Sequence, residues 1–155
     1  MKRLVTAAAL MMAAAGLAQA QSLKLSAEDT RSIESCIKEK AAKERPENCI
    51  GLIADPCLET PAGQSTAGQA GCYQREQLVW DDILNETYRR LQGQLDGKLK
   101  TQLRDLQRVW IEARKQQCDF YRDVIQGTLA IPVGASCYNT ETARRALYLL
   151  SLLDL

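Results

Sequence analysis

The stretch Gln107–Cys118, QRVWIEARKQQC, places a thiol, an indole and several cations within roughly three helical turns. A cysteine close to basic groups has the makings of an activated thiolate, because positive charge favours the anion. It could equally be half of a disulfide. Two carboxylate pairs, Asp81 with Asp82 and Asp119 with Asp123, raise the further idea of acid–base chemistry. The chain has no histidine, so Ser-His and Cys-His nucleophile pairs are impossible. A zinc site would have to use thiolates and carboxylates alone, and no C-x-x-C pair is present. No metal ligand set and no cofactor is implied. Carboxylates at these helical spacings are ordinarily solvated charge, and no second element points at them. An enzyme is therefore the weakest of the functional readings.

The N-terminus bears on the thiol. Met1-Lys2-Arg3 is a short positive segment, and Leu4–Ala18 is apolar or small apart from Thr6. Ala18-Gln19-Ala20 follows with the small-x-small pattern of a signal-peptidase site. Residues 1–20 read as a signal peptide and 21–155 as one mature helical domain in the periplasm or secreted. The apolar run falls short of the about 20 residues that a membrane span takes. After cleavage no later segment is expected to enter a membrane.

Loss of Lys2 and Arg3 leaves 18 basic groups against 19 acidic ones, a near-neutral chain with no reason to seek nucleic acid. Six cysteines remain: Cys36, Cys49, Cys57, Cys72, Cys118 and Cys137. An even number in a small exported domain implies a disulfide framework, with 15 possible pairings that sequence alone does not resolve. Cys118 is thus expected to be oxidised and structural.

The elements that must position these groups are helical. Ser26 with Asp29 resembles a capping signal, ahead of a stripe at Ile33, Cys36, Ile37 and Ala41 that ends by Pro46. DPCLETPAGQSTAGQAGC, up to Cys72, reads as a long loop, and no G-K-[ST] follows to make it a phosphate cradle. Trp80, Leu84, Thr87 or Tyr88, Leu91 and Leu95 then recur at helical spacing. Asp96-Gly97 signals a turn. Leu99, Leu103, Leu106, Trp110, Ala113 and Gln117 predict the buried face of a second helix. The two stripes are expected to pack together as an antiparallel hairpin. Gly127–Cys137 reads as a second loop because of Pro132 and Gly134. A last helix is expected from Asn139 or Thr140, carrying Ala143, Leu147, Leu150 and Leu153. The fold class is all-α, a disulfide-stapled domain of about four helices around that hairpin.

Three motifs carry a resemblance. D-x-x-L-N-x-x-Y lies at Asp81, Leu84, Asn85 and Tyr88. Q-R-x-W-I-x-x-R-x-x-x-C lies at Gln107, Arg108, Trp110, Ile111, Arg114 and Cys118. C-x4-T-x-x-R-x3-L lies at Cys137, Thr142, Arg145 and Leu149. In this order, with Cys57 and Cys72, the chain from Cys57 onward resembles the LprI-type lysozyme inhibitor family. Residues 21–56 form an N-terminal extension with its own Cys36 and Cys49. Local pairing is then expected, Cys36–Cys49, Cys57–Cys72 and Cys118–Cys137, since each bond closes a short segment.

The resemblance implies a binding protein whose partner is lysozyme. Disulfide-pinned loops on a rigid frame suit an inhibitor that occludes a cleft, because rigidity lowers the ordering cost of binding. Candidate contacts are Thr128, Gly134 and Ser136 in one loop and Gln64, Ser65 and Thr66 in the other, with one loop at each end of the hairpin. Trp110 is expected to anchor the hairpin seam with Arg114 stacked on it. Asn85, Arg114 and Arg145 are expected to satisfy buried polar groups. The alternative is an envelope adaptor that binds another periplasmic protein without inhibiting lysozyme.

Overall fold

The computed structural model describes residues 24–41 and 45–155, so the expected signal peptide lies outside the described residues. Within them all regular structure is helical: α1 (Ala27–Ala41), α2 (Ala54–Leu58), α3 (Thr66–Gln94), α4 (Gly97–Ile125) and α5 (Ala130–Leu152). Short 3-10 turns occupy Pro46–Cys49 and Pro61–Gln64. At the start of α1 the Asp29 N–H donates to Ser26 Oγ at 3.3 Å. Between α3 and α4, Asp96 Oδ1 accepts from the N–H groups of Lys98 (3.1 Å) and Leu99 (2.9 Å), which caps α4.

Two segments expected as loops are largely helix. α3 begins at Thr66, well before Cys72, because Ser65 serves as its cap and accepts from the Gly68 N–H at 3.0 Å. α5 begins at Ala130 rather than at Asn139 or Thr140. Pro132 lies in its first turn, where a missing N–H forfeits no intrahelical bond. Gly134 is packed, not turning: a Cβ there would stand 2.8 Å from Cγ and Cδ of Arg122. The true break is Gln126-Gly127, with φ of 53° and 69°, a positive-φ pair that stops α4.

The antiparallel pair α3 and α4 is present, but α5 fills it. α3 packs chiefly along α5, α4 packs on α5 as well, and α3 meets α4 very little. The core runs from Val79, Trp80, Ile83, Leu84 and Leu91 of α3 to Ala143, Ala146, Leu147 and Leu149 of α5, with Ile33 of α1 at its edge. Small residues on α5 allow this close approach.

α4 is rotated from its expected orientation. It buries Leu103, Gln107 and Cys118, with Trp110 and Arg114 half-buried. Leu99, Leu106, Ala113 and Gln117, expected inside, are exposed. The Cys118–Cys137 bond and hydrogen bonds from α4 to α5 hold this rotation.

Candidate functional site

The structure contains three disulfides, Cys36–Cys49, Cys57–Cys72 and Cys118–Cys137, with Cα–Cα distances of 5.9, 5.6 and 5.5 Å. The thiol of the opening stretch is therefore a fully buried cross-link rather than a nucleophile. The chain reverses after α3 and again after α4. Cys72, Cys118 and Cys137 consequently lie at one end of the bundle, opposite the Asp96 turn. The two candidate contact segments were expected at opposite ends of the hairpin. They share one end.

At that end Thr128 lies in the α4–α5 turn, Gln64 and Ser65 are exposed, and Thr66 opens α3. Ser136 is half-buried and lines a cleft of about 350 Å³ with Tyr73, Tyr121 and Arg144. Gly134 is buried against Arg122, so it offers no loop backbone to a partner. Around these groups stand large apolar side chains: Phe120 is 65% exposed, Val124 61%, Leu129 56% and Ile131 51%. They continue a stripe on the outer face of α4 that includes Val109, 68% exposed, Leu106 and Leu99. Leu99 and Leu106 belong to the face expected inside, whereas Val109, Phe120 and Val124 lie beside that face.

The motif residues converge elsewhere, on the polar seam of α4. The Arg114 guanidinium lies 4.5 Å from the Trp110 ring centroid and donates to Thr142 Oγ1 at 2.7 Å. Arg145 Nε donates to Gln107 Oε1 at 2.8 Å, and its guanidinium lies 5.6 Å from the same indole. Neither arginine is ion-paired to a carboxylate among the described residues, and Arg114 Nε and one Arg145 terminal nitrogen are buried without a hydrogen bond. Burial lowers the pKa of both guanidiniums, with the Asp81 charge opposing this at Arg114 and Tyr148 opposing it at Arg145. Both stay protonated. Asp81, Leu84, Asn85 and Tyr88 of α3 face Gln107, Arg108, Trp110 and Arg114 across a groove of about 280 Å³. Asn85 is exposed on its wall and donates to Asp81 Oδ2 at 3.1 Å, so it does not enter the core. Leu149 is fully buried. Trp110 packs against the core edge; the indole at its centre is Trp80.

Sequence reading missed Glu76, which is fully buried. Its carboxylate accepts from the N–H groups of Gly51 (2.8 Å), Ile53 (2.9 Å) and Ala54 (2.8 Å). It also accepts from Trp80 Nε1 (2.9 Å) and Asn139 Nδ2 (3.0 Å). The available signal was its position, four residues before Trp80 on the buried face of a helix. Its charge raises the pKa of Asp55, after the larger effect of burial. Gly51, at φ 96°, passes Asp55 so closely that a Cβ would overlap the carboxylate. This hub is structural: every acceptor site points at the protein's own donors.

One carboxylate of each pair has a partner of its own. Asp81 is bonded to Asn85, and Asp119 is bonded to Lys115 at 2.8 Å. That hydrogen bond holds the Asp119 carboxyl below its usual range.

The chain matches none of the curated proteins and none of the solved structures with which it was compared. Residues 57–149 match the family described as Lysozyme inhibitor LprI. That stretch holds both hairpin helices, nearly all of α5, two of the disulfides and all three motifs, and it spans more than half of the 155 residues. The chain belongs to the LprI lysozyme inhibitor family.

Proposed function

We propose that this protein is exported and inhibits lysozyme by occluding its cleft. The contact is the outer stripe of α4 together with the disulfide-bonded end. The observation that carries this reading is the rotation of α4, which turns Val109, Phe120 and Val124 to water while Gln107 and Arg114 face the bundle. Contiguous apolar surface of this kind marks protein contact. Family membership supports lysozyme as the partner. Lysozyme clefts hold two carboxylates. Thr128, Gln64, Ser65 and Thr66 offer hydrogen-bonding groups to them, and Arg122 offers a cation. The disulfides support an oxidising compartment. Residues 57–155 are the inhibitor-like part, and 21–56 are an extension whose described residues meet α3 through the Gly51 N–H on Glu76 and the Arg75–Asp29 pair at 2.6 Å.

Oxidised protein should slow peptidoglycan hydrolysis by at least one lysozyme, stoichiometrically and without turnover. A Phe120→Ser, Val124→Ser variant should lose most of that inhibition with little change in melting temperature, because both side chains are exposed. If chicken-type, goose-type and invertebrate-type lysozymes all run at full rate in micromolar excess of the protein, the inhibitor reading fails. The envelope adaptor then takes its place. If inhibition survives the double variant, the function stands and the contact is elsewhere.

A further inference from the structure

The groove between α3 and α4 lies nearer the Asp96 turn than the disulfide-bonded end. Leu84 and Trp110 are among its apolar lining, and its volume is about 280 Å³. Arg104, Arg108 and Arg114 line it against a single carboxylate, Asp81. Arg104 is held by its neighbour Asp105 at 3.1 Å. The Arg108 side chain has no ion pair and no hydrogen bond among the described residues, and it is exposed. Arg114 spends one terminal nitrogen on Thr142, while its Nε is buried and unpartnered. Positive charge therefore exceeds negative charge in a concavity whose opposite wall is polar: Asp81, Asn85 and the Tyr88 phenol.

We propose that this groove binds a carboxylate-bearing sugar, with the carboxylate at Arg108 and Arg114 and the ring hydroxyls at Asp81, Asn85 and Tyr88. The exposed Arg108 guanidinium fork matches the two oxygens of a carboxylate, and Arg114, with one terminal nitrogen on Thr142 and Nε buried, adds its remaining terminal nitrogen. The α3 wall adds an acceptor, an amide and a phenol, a set that matches hydroxyl groups rather than an apolar acid. The volume lies just below the range of small-molecule sites, about 300–1,000 Å³, which suits a single ring and not a long chain. Trp110 lines the groove beside Arg114, whose guanidinium lies 4.5 Å from its ring centroid, so a ligand held at Arg114 lies close to the indole.

The test is an NMR titration of the intact oxidised protein that follows the indole Nε1–H of Trp110. The Trp80 Nε1–H, buried on Glu76, serves as the internal reference. The probes are N-acetylmuramic acid, N-acetylglucosamine, which lacks the carboxylate, and lactate, which lacks the sugar. N-acetylmuramic acid should shift Trp110 and leave Trp80 in place, and the other two should bind at least about tenfold more weakly. Arg108→Gln, at an exposed position that folding does not need, should weaken binding by about tenfold, the worth of one charge-assisted hydrogen bond. Tyr88→Phe should weaken it less. The proposal is overturned if N-acetylmuramic acid leaves Trp110 unmoved, if either fragment binds as tightly, or if Arg108→Gln changes nothing. No lysozyme is present, so the result is independent of the inhibitor reading.

Discussion

Glu76 receives five donors and no cation among the described residues, so its charge is stabilised wholly by dipoles. Three of those donors are backbone groups around the start of α2, where N–H groups are left without helical partners. Removing the carboxylate would strand them in a dry interior. Glu76→Ala is expected to cost about 3–5 kcal/mol by chemical denaturation. Glu76→Gln should recover only part of this, since its NH₂ faces donors. Asp119 provides a pH-dependent counterpart. Its hydrogen bond from Lys115 lowers its folded pKa below the unfolded value of about 3.9. The stability it contributes is thus complete above that value and lost as pH falls through the lower, folded pKa. Acid titration of Asp119→Asn should show a shallower fall in stability over that window, and an unchanged fall would refute the assignment. Neither role was visible in the residue types alone. A buried glutamate and a surface aspartate look alike until their neighbours are known.

Helix α4 shows how far periodicity goes. Its apolar spacing correctly predicted a helix, because 3.6 residues per turn is a local property. It placed Leu103 and Trp110 on the inner side but set the face too far round, leaving Leu99, Leu106, Ala113 and Gln117 in water, because which stripe turns inward depends on what α5 offers. α5 offers Thr142, Arg145 and Cys137, and these select the polar stripe with Gln107, Arg114 and Cys118. The boundaries of α3 and α5 have a similar explanation. Gly, Pro and Ser lower local helix propensity, and the Ser65 cap, Pro132 in a first turn and packing onto neighbours outweigh them. Gly93 supplies a clean check. It is exposed in α3 with nothing near its would-be Cβ, so Gly93→Ala should stabilise by about 0.5–1 kcal/mol. A loss of stability there would mean that α3 does not persist to Gln94 in solution.

For the molecule as a whole, two disulfides clamp the end that we assign to lysozyme. Cys118→Ser with Cys137→Ser should lower stability by about 3 kcal/mol in the chain-entropy model. Helical circular dichroism should largely survive at low temperature while inhibition weakens. Equal inhibition by the double variant and the parent would remove the clamp from the mechanism. Helix identity, the Asp96-Gly97 turn and the family motifs were legible in the residue order, since each depends on neighbours within a few positions. The four-residue spacing on one helix also placed Arg114 over Trp110. Contacts between helices were not legible. The Glu76 hub joins groups 22 to 63 residues apart, besides its bond to Trp80. The shared end of the two contact segments, the outward turn of α4 and the cationic groove arise from how three long helices settle on one another. That arrangement is set by the sum of many small packing and hydrogen-bond terms across the chain, and no local pattern carries such a sum.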